Sequence, residues 1–176
     1  AVLWLFFRDV FQVHLDIYIP HRLKEGYGLN MAAVEALAER GTEILVTVDN
    51  GSSAIEEVAR ARELGLDVII IDHHQVSVPE PQPYAHLNPH RKDSPYPDRT
   101  LAAVGLVFML LVELRRQMRK DTRFDATGVR PDRYLDLVAL GTVADVAPLG
   151  NLNRALVRYG LGVMRETPRI GLSALL

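Results

Sequence analysis

Two nearly continuous apolar runs constrain the fold most strongly. They are EILVTVD, residues 43–49, and LDVIIID, residues 66–72. Strands of a parallel sheet have this composition when helices bury both of their faces. The segment between the runs, residues 54–64, has helical spacing and ends at Gly65. This order predicts an α/β fold, with a parallel sheet and helices on both faces.

Capping and helix-breaking residues predict the remaining elements. Asn30 is expected to cap a helix over residues 31–40 that Gly41 ends, and Ser52 or Ser53 can cap the helix over 54–64. Short strands are expected in HLDIYIP, residues 14–20, and in YAHLN, residues 84–88. Further helices are expected over residues 2–13, 101–119 and 153–164, with a loose tail after the last one. DRYLDLVALGTVAD, residues 132–145, is expected to be a helix that runs into a turn marked by Gly141.

Composition excludes some classes of protein and of site. Cysteine is absent, so the chain forms neither disulfides nor a thiolate zinc site, which fits a reducing cytoplasm. The longest uncharged apolar run, residues 101–112, is shorter than the roughly 18 residues of a membrane span. The formal net charge of −2 provides no general basic field for nucleic acid. We therefore expect no membrane partner, and any nucleic-acid site has to be local.

An acid follows each apolar run at the point where the predicted strand ends. Asp49 follows the first strand, and Asp72 follows the second and is itself followed by His73 and His74. Ligands of open parallel sheets bind at the carboxyl ends of the strands, so both carboxylates are expected at one crevice. The alternative is that each Asp is an ordinary turn or capping residue.

The two histidines are expected to have different roles, because neighbours in an extended chain point to opposite sides. One of them can bind a metal ion, and the other can face a substrate anion or a supporting carboxylate. Asp and His ligands without Cys favour Mn, Mg, Zn or Co. The alternative is a pair of unrelated surface imidazoles.

A third acid, Asp145, lies in GTVADVAPL, where Gly141 and Ala144 leave space around it. It is either a site residue or a helix-capping aspartate. Spacing alone does not bring it near Asp49.

Four blocks of the sequence resemble a known family. They are YIPHRLKEGYGLN, VTVDNGSSAIEEVARARELGLDVIIIDHHQ, LNPHRKDSPYP and LGTVADVAPLGNLNRALVRYGL. In this order, over about residues 17–161, they resemble the DHH phosphoesterase superfamily, and within it the RecJ-type single-stranded-DNA-specific exonucleases. The resemblance implies a DHH-type catalytic domain of the α/β kind, followed by a helical segment. It also implies two divalent metal ions, Mn or Mg, and hydrolysis of phosphodiester bonds.

The resemblance also assigns roles to individual residues. Asp49 would bridge the two ions, His73 and Asp145 would be metal ligands, His74 would contact the scissile phosphate, and Asp72 would bind metal or orient its neighbours. Basic side chains in loops near the expected crevice, Arg22 and Arg91, are expected phosphate contacts. Ordinary surface charge is the alternative for these two arginines.

The family's first acidic motif, a D-x-D-x-D-G-like segment, does not occur in these 176 residues. We therefore expect residues 1–164 to be a partial catalytic domain and residues 165–176 to begin a linker to a C-terminal region. The isolated chain is expected to be inactive or severely impaired.

The resemblance implies a cytoplasmic role in DNA repair and recombination, with single-stranded DNA as substrate. It also implies a single-strand-binding protein and a helicase as partners. Two alternatives stay open. One is a DHH phosphodiesterase for short oligonucleotides or cyclic dinucleotides, and the other is a non-catalytic replication protein with the DHH fold.

Overall fold

The computed structural model describes residues 1–166 and 169–175, in two compact units. The helical unit comprises Ala1–Asp16 and Thr100–Leu176, and the sheet unit comprises Ile17–Arg99. The predicted linker, residues 165–176, includes Thr167, Pro168 and Leu176, which lie outside the described residues. The domain boundary at residue 164 stays a prediction.

The sheet unit has three parallel strands in the order β1-β2-β3. They are β1 (Ile44–Val48), β2 (Asp67–Ile71) and β3 (Ala85–Leu87). The register pairs Val48 with Ile71 and Ile71 with Leu87, so the three carboxyl ends lie at one edge. The parallel α/β fold predicted from the two apolar runs is confirmed, and so is the short strand in YAHLN.

Two helices, α2 (Met31–Glu39) and α3 (Ile55–Glu63), cover one face of this sheet. Their contact with β2 is apolar and includes Val34, Leu37, Val58, Ala61, Val68 and Ile70. Val68 and Ile70 share a face because side chains alternate along a strand. Each fully buried Val or Ile contributes about 1.5–3 kcal/mol relative to an exposed one. This layer makes β1 and β2 a rigid support for whatever follows them.

One of the two predicted caps is found. Asn30 Oδ1 accepts a hydrogen bond of 2.8 Å from Ala33 N at the start of α2, as predicted. The prediction that Ser52 or Ser53 caps α3 is wrong, because the N-cap is Ala54 and no side chain bonds there. Ser52 has other partners, which are described below.

The helical unit contains most of the predicted helices. The first, α1 (Val2–Phe6), continues as one π-helical turn, Phe7–Phe11. The others are α4 (Ala103–Met118), α5 (Leu135–Ala144), α6 (Asn151–Glu166) and α7 (Ile170–Leu175), and a 3₁₀ turn, Pro131–Tyr134, precedes α5. The tail expected to be loose is therefore helical over Ile170–Leu175. None of the described helices is both long and apolar enough to span a bilayer.

The strand predicted in HLDIYIP is not found, since residues 14–20 belong to no strand in the described part of the chain. Its alternating apolar side chains stay in solvent, with Ile17 59% and Ile19 82% exposed. A strand pattern is stable only when a neighbour takes up its hydrogen bonds and its apolar face, and Pro20 also lacks an N–H donor.

Candidate metal centre

Asp49 lies one residue beyond β1 and has an unusual backbone conformation. Its N–H donates to Ile71 O at 2.9 Å and so extends the β1–β2 ladder by one bond. Its φ of 68° is left-handed, which is uncommon for a residue other than glycine. The conformation turns the chain sharply out of the sheet. Asp49 therefore stands at the edge where the strands end.

His73 and His74 lie at the same edge, directly after Asp72, which is the first residue beyond β2. Their rings are 4.7 Å apart between centroids, at an interplanar angle of 62°. His73 Nε2 lies 3.1 Å from Asp49 Oδ1, and the side chain of His74 is half exposed. Each of Asp49, His73 and His74 has a ligand atom within 4.8 Å of those of the other two. The structure thus brings together three of the predicted site residues.

These three residues fit one divalent cation. Asp49 Oδ1 is buried and accepts no hydrogen bond from the described residues, although it lies at ion-pair distance from His73 Nε2. Two neighbouring ligand atoms of an octahedral ion, each about 2.1 Å from it, are about 3 Å apart. The observed 3.1 Å is close to that value. A cation would satisfy a carboxylate oxygen for which the described residues provide no hydrogen-bond donor.

Asp72 is the buried anchor of this edge. Its Oδ1 accepts from His73 N at 2.8 Å, from His74 N at 3.3 Å and from His74 Nδ1 at 2.7 Å. Its Oδ2 accepts from Ser52 N at 3.0 Å. Four donors fill the roughly four lone-pair positions of a carboxylate. Asp72 is therefore arranged to orient its neighbours, which is one of the two roles expected for it.

The pKa of the Asp72 carboxyl lies below its ordinary value. Burial acts to raise this pKa, but the hydrogen bonds from His74 and Ser52 outweigh it. Since the ionised carboxylate only accepts, His74 Nδ1 is the donor, and Nε2 is the ring atom left to act outward.

A buried network of polar side chains, formed by Ser52, His86 and Asn88, lies next to Asp72. Ser52, which is 1% exposed, accepts at Oγ from Asn88 Nδ2 at 2.7 Å and lies 3.0 Å from His86 Nε2. Asn88, just after β3, also donates to His74 O at 2.9 Å. Ser52 Oγ accepts from Asn88, and its own proton can go to His86 Nε2 or to the Asp72 carboxylate, so a neutral His86 fits here as acceptor or as donor. The network fixes the His-His segment to β3.

The network predicts a dependence of stability on pH. Burial lowers the pKa of the His86 imidazole, and the charge of Arg91 lowers it further. The unfolded chain then binds the His86 proton more readily than the folded chain does. We expect the contribution of neutral His86 to be complete above about pH 6.5, the ordinary pKa of histidine, and to be lost as the pH falls from there through the lower folded pKa.

Urea unfolding of the wild type and of His86→Gln between pH 5 and 8 measures this contribution. The difference between their free energies of unfolding should shrink as the pH is lowered. A difference that stays constant over this range would contradict the neutral assignment.

The structure also describes the three other predicted residues. Arg22 is in an exposed loop, with its guanidinium 5.9 Å from the ring centroid of Tyr27. Arg91 donates to Asp93 Oδ2 at 2.7 Å and to His86 O at 3.2 Å, so its charge already has partners. Asp145 is the C-cap residue of α5 in the helical unit, and the turn expected at Gly141 is not found there, because α5 continues through Gly141 to Ala144.

A comparison with models of protein families shows to which family this chain belongs. The model described as the DHH family, N-terminal domain, matches residues 1–142, which is most of the chain. The chain belongs to the DHH family. The letters D-H-H occur within the matched range at Asp72, His73 and His74.

Relatives of this DHH chain are named as nucleases. The single-stranded-DNA-specific exonuclease RecJ of Bacillus subtilis is 42% identical over 162 residues, which cover 92% of this chain and 19% of the relative. A crystal structure of the exonuclease RecJ bound to manganese matches 99% of this chain and 42% of its own, at 33% identity and a TM-score of 0.74. RecJ of Thermus thermophilus, solved with Mn²⁺, matches with 29% identity and a TM-score of 0.76, over 99% of this chain and 23% of its own.

The resemblance to RecJ-type proteins read from the sequence is thus confirmed. The DHH chain spans less than half the length of each of these relatives.

Sequence reasoning missed the supporting residues of the DHH site. Ser52 and Asn88 lie within blocks already recognised as family-like, but a serine after a strand predicts a cap and an asparagine before a proline predicts a turn. The sequence also predicts no role for Tyr27, although its hydroxyl donates to Asp49 O at 2.5 Å. Only its position between two glycines, in GYG, indicates that the chain turns there.

Proposed function

We propose that this chain is the metal-binding part of a nuclease that hydrolyses phosphodiester bonds in single-stranded DNA, as RecJ-type exonucleases do. The observation that carries the proposal is the convergence of Asp49, His73 and His74 at the carboxyl edge of the parallel sheet. The RecJ relatives, two of them solved with manganese, support the same activity and the same metal.

The metal we propose is manganese, with magnesium as the alternative. Two such ions, when bound, neutralise the charge of the phosphodiester, lower the pKa of a water molecule and stabilise the leaving oxygen. Asp49 and His73 would hold the first of them, because their ligand atoms are 3.1 Å apart. Three donors are too few for two ions, so the second needs further carboxylates. Asp145 is our proposed ligand there.

His74 would contact the scissile phosphate rather than serve mainly as a ligand. Its Nδ1 is held by Asp72 at 2.7 Å, which fixes the ring plane and leaves Nε2 at the exposed side. Because Nδ1 donates to Asp72, Nε2 would donate to a phosphate oxygen in the imidazolium form, and its fixed position would then stabilise the developing charge without reorganisation. Asp72 is the residue that orients it.

Arg22 and Arg91 remain proposed phosphate contacts, but they differ in how freely the guanidinium can reach a phosphate. Arg22 is exposed beside Tyr27 and can turn toward an anion. Arg91 would first have to release Asp93, to which it is joined by two hydrogen bonds. Of the two, we favour Arg22. The cytoplasmic location, the role in repair and recombination, the single-strand-binding protein and the helicase stay predictions.

The substrate is tested with the full-length gene product and Mn²⁺. Long single-stranded DNA, duplex DNA, a dinucleotide and a cyclic dinucleotide should be compared, with a chelator as control. We expect nucleotide release from the single strand alone, and none with the chelator. Preference for the dinucleotides would favour the short-oligonucleotide phosphodiesterase. Loss of hydrolysis together with loss of Mn²⁺ binding would favour a non-catalytic relative.

The metal site itself is tested by calorimetric titration of the 176-residue chain with Mn²⁺. His73→Ala should weaken binding by more than the roughly 10–100-fold that loss of a merely supporting residue costs a metal site. His90→Ala is the matched control, since His90 bonds to Gln75 and lies outside the cluster. Equal affinities for all three chains would remove His73 from the proposed ligands. A circular dichroism spectrum verifies that each chain is folded.

A further inference from the structure

The left-handed backbone of Asp49 requires support from its surroundings. A non-glycine residue in this region costs on the order of 1–3 kcal/mol and persists only where neighbours hold it. Close packing after Asp49 provides part of this support. Gly51, two residues later, has φ 110°, and a Cβ there would lie only 2.7 Å from Thr47 Oγ1. Thr47 Oγ1 in turn donates to Asn50 O at 2.9 Å. These contacts fix the chain after Asp49 but not the carbonyl of Asp49 itself.

Tyr27 supplies the contact to that carbonyl. Its hydroxyl donates to Asp49 O at 2.5 Å, across 22 residues of sequence. The bond fixes the peptide plane that follows Asp49, and so it fixes the direction in which the carboxylate leaves the backbone. The phenol is mostly exposed, at 63% for the residue, so this bond contributes little to the core.

The same ring contacts His74. The Tyr27 and His74 centroids are 6.3 Å apart at 75°, an edge-to-face arrangement. His74 is thus held at three places: at Nδ1 by Asp72, and at the ring by Tyr27 and His73. One side chain therefore touches both the segment after β1 and the segment after β2.

The local sequence explains how Tyr27 reaches this position. Gly26 and Gly28 have φ of 83° and 89°, conformations that favour glycine. A Cβ on Gly28 would lie 3.7 Å from Asn50 Cβ, so the loop passes directly beside the turn after β1. The two glycines let the chain turn on either side of the tyrosine and present it to the edge of the sheet.

We infer that Tyr27 is a positioning residue for the metal centre, which sets the geometry of Asp49 through its hydroxyl and that of His74 through its ring. The inference rests on the proposed function and adds a residue to it. It differs from a role in DNA binding, in which an exposed tyrosine would stack on a base and act only on substrate affinity.

Two substitutions separate the functions of the hydroxyl and the ring. Tyr27→Phe removes the bond to Asp49 O and keeps the ring, whereas Tyr27→Leu removes both. Tyr84→Phe is the control, because Tyr84 is an exposed tyrosine that precedes β3, at the opposite end of that strand from the site. Mn²⁺ affinity is measured by calorimetry on the 176-residue chain, and kcat and KM on the full-length gene product.

We expect Tyr27→Phe to raise the Mn²⁺ dissociation constant about 10-fold, at the lower end of what loss of a supporting residue costs a metal site. Tyr27→Leu should also lower kcat, with little change in KM. Tyr84→Phe should change neither the Mn²⁺ affinity nor kcat. Thermal midpoints should stay within a few degrees of the wild type. Unchanged Mn²⁺ affinity in both Tyr27 variants, or a rise in KM alone, would overturn the inference while leaving the proposed function in place. A full-length gene product that binds no Mn²⁺ would overturn both.

Discussion

Asp49→Asn is expected to abolish Mn²⁺-dependent hydrolysis of single-stranded DNA by the full-length gene product. The carboxylate has a buried Oδ1 that lies 3.1 Å from His73 Nε2, and an amide removes the negative charge that would hold a cation there. Asparagine keeps the size of the side chain and tolerates the left-handed backbone at φ 68°. We expect kcat to fall by at least roughly 10²–10³-fold, because removal of one electrostatic stabiliser of the transition state costs an enzyme that much.

The control for this variant is Asp67→Asn. Asp67 is exposed at the start of β2, at the opposite edge of the sheet from the candidate centre. It should keep full activity, and both variants should unfold at the same urea concentration as the wild type. Asp49→Ala should lose activity equally but also some stability, because alanine is strained in the left-handed region. Activity close to the wild type in Asp49→Asn would remove Asp49 from the site.

Gly160→Ala is expected to produce the largest loss of stability. Gly160 of α6 packs directly on α5, and a Cβ there would lie 2.2 Å from Leu135 O and 2.5 Å from Ala139 Cβ. Backbone cannot yield as a flexible side chain does, so the two helices would have to separate. We expect a cost of about 3 kcal/mol or more, at or above the upper range for overpacking. That is a large part of the roughly 5–15 kcal/mol that holds a typical domain together.

The same helix provides the matched control. A Cβ on Gly162 meets no atom within 4 Å, so Gly162→Ala should increase the free energy of unfolding by about 0.5–1 kcal/mol through helix propensity. Urea denaturation followed by circular dichroism measures both variants. Equal stabilities of the two variants would contradict the close contact between α5 and α6.

Much of the fold could be predicted because its signals are local. The two apolar runs became β1 and β2, and the oxygen of Asn30 caps α2 as its position indicated. The failures involve long-range partners. HLDIYIP has a strand pattern, but the described residues provide no neighbouring strand for it. Ser52 forms hydrogen bonds with Asp72, His86 and Asn88 instead of capping a helix. Propensity does not encode which distant residue completes a hydrogen bond.

The candidate site was predictable in part for the same reason. Asp49, His73 and His74 follow adjacent parallel strands, so strand order alone brings them to one edge. Their support is not predictable in this way, since Tyr27 and Asn88 approach from loops whose paths depend on glycines and on β3. The role of Asp145 stays a prediction of the resemblance.

The most direct test is the position of the metal. Crystals of the 176-residue chain soaked in Mn²⁺ should give an anomalous peak about 2.2 Å from a carboxylate oxygen of Asp49 and from Nε2 of His73. Crystals of Asp49→Asn soaked in the same way should lack that peak. Manganese bound only at other residues of the wild-type chain would contradict a metal centre at the carboxyl edge of this sheet.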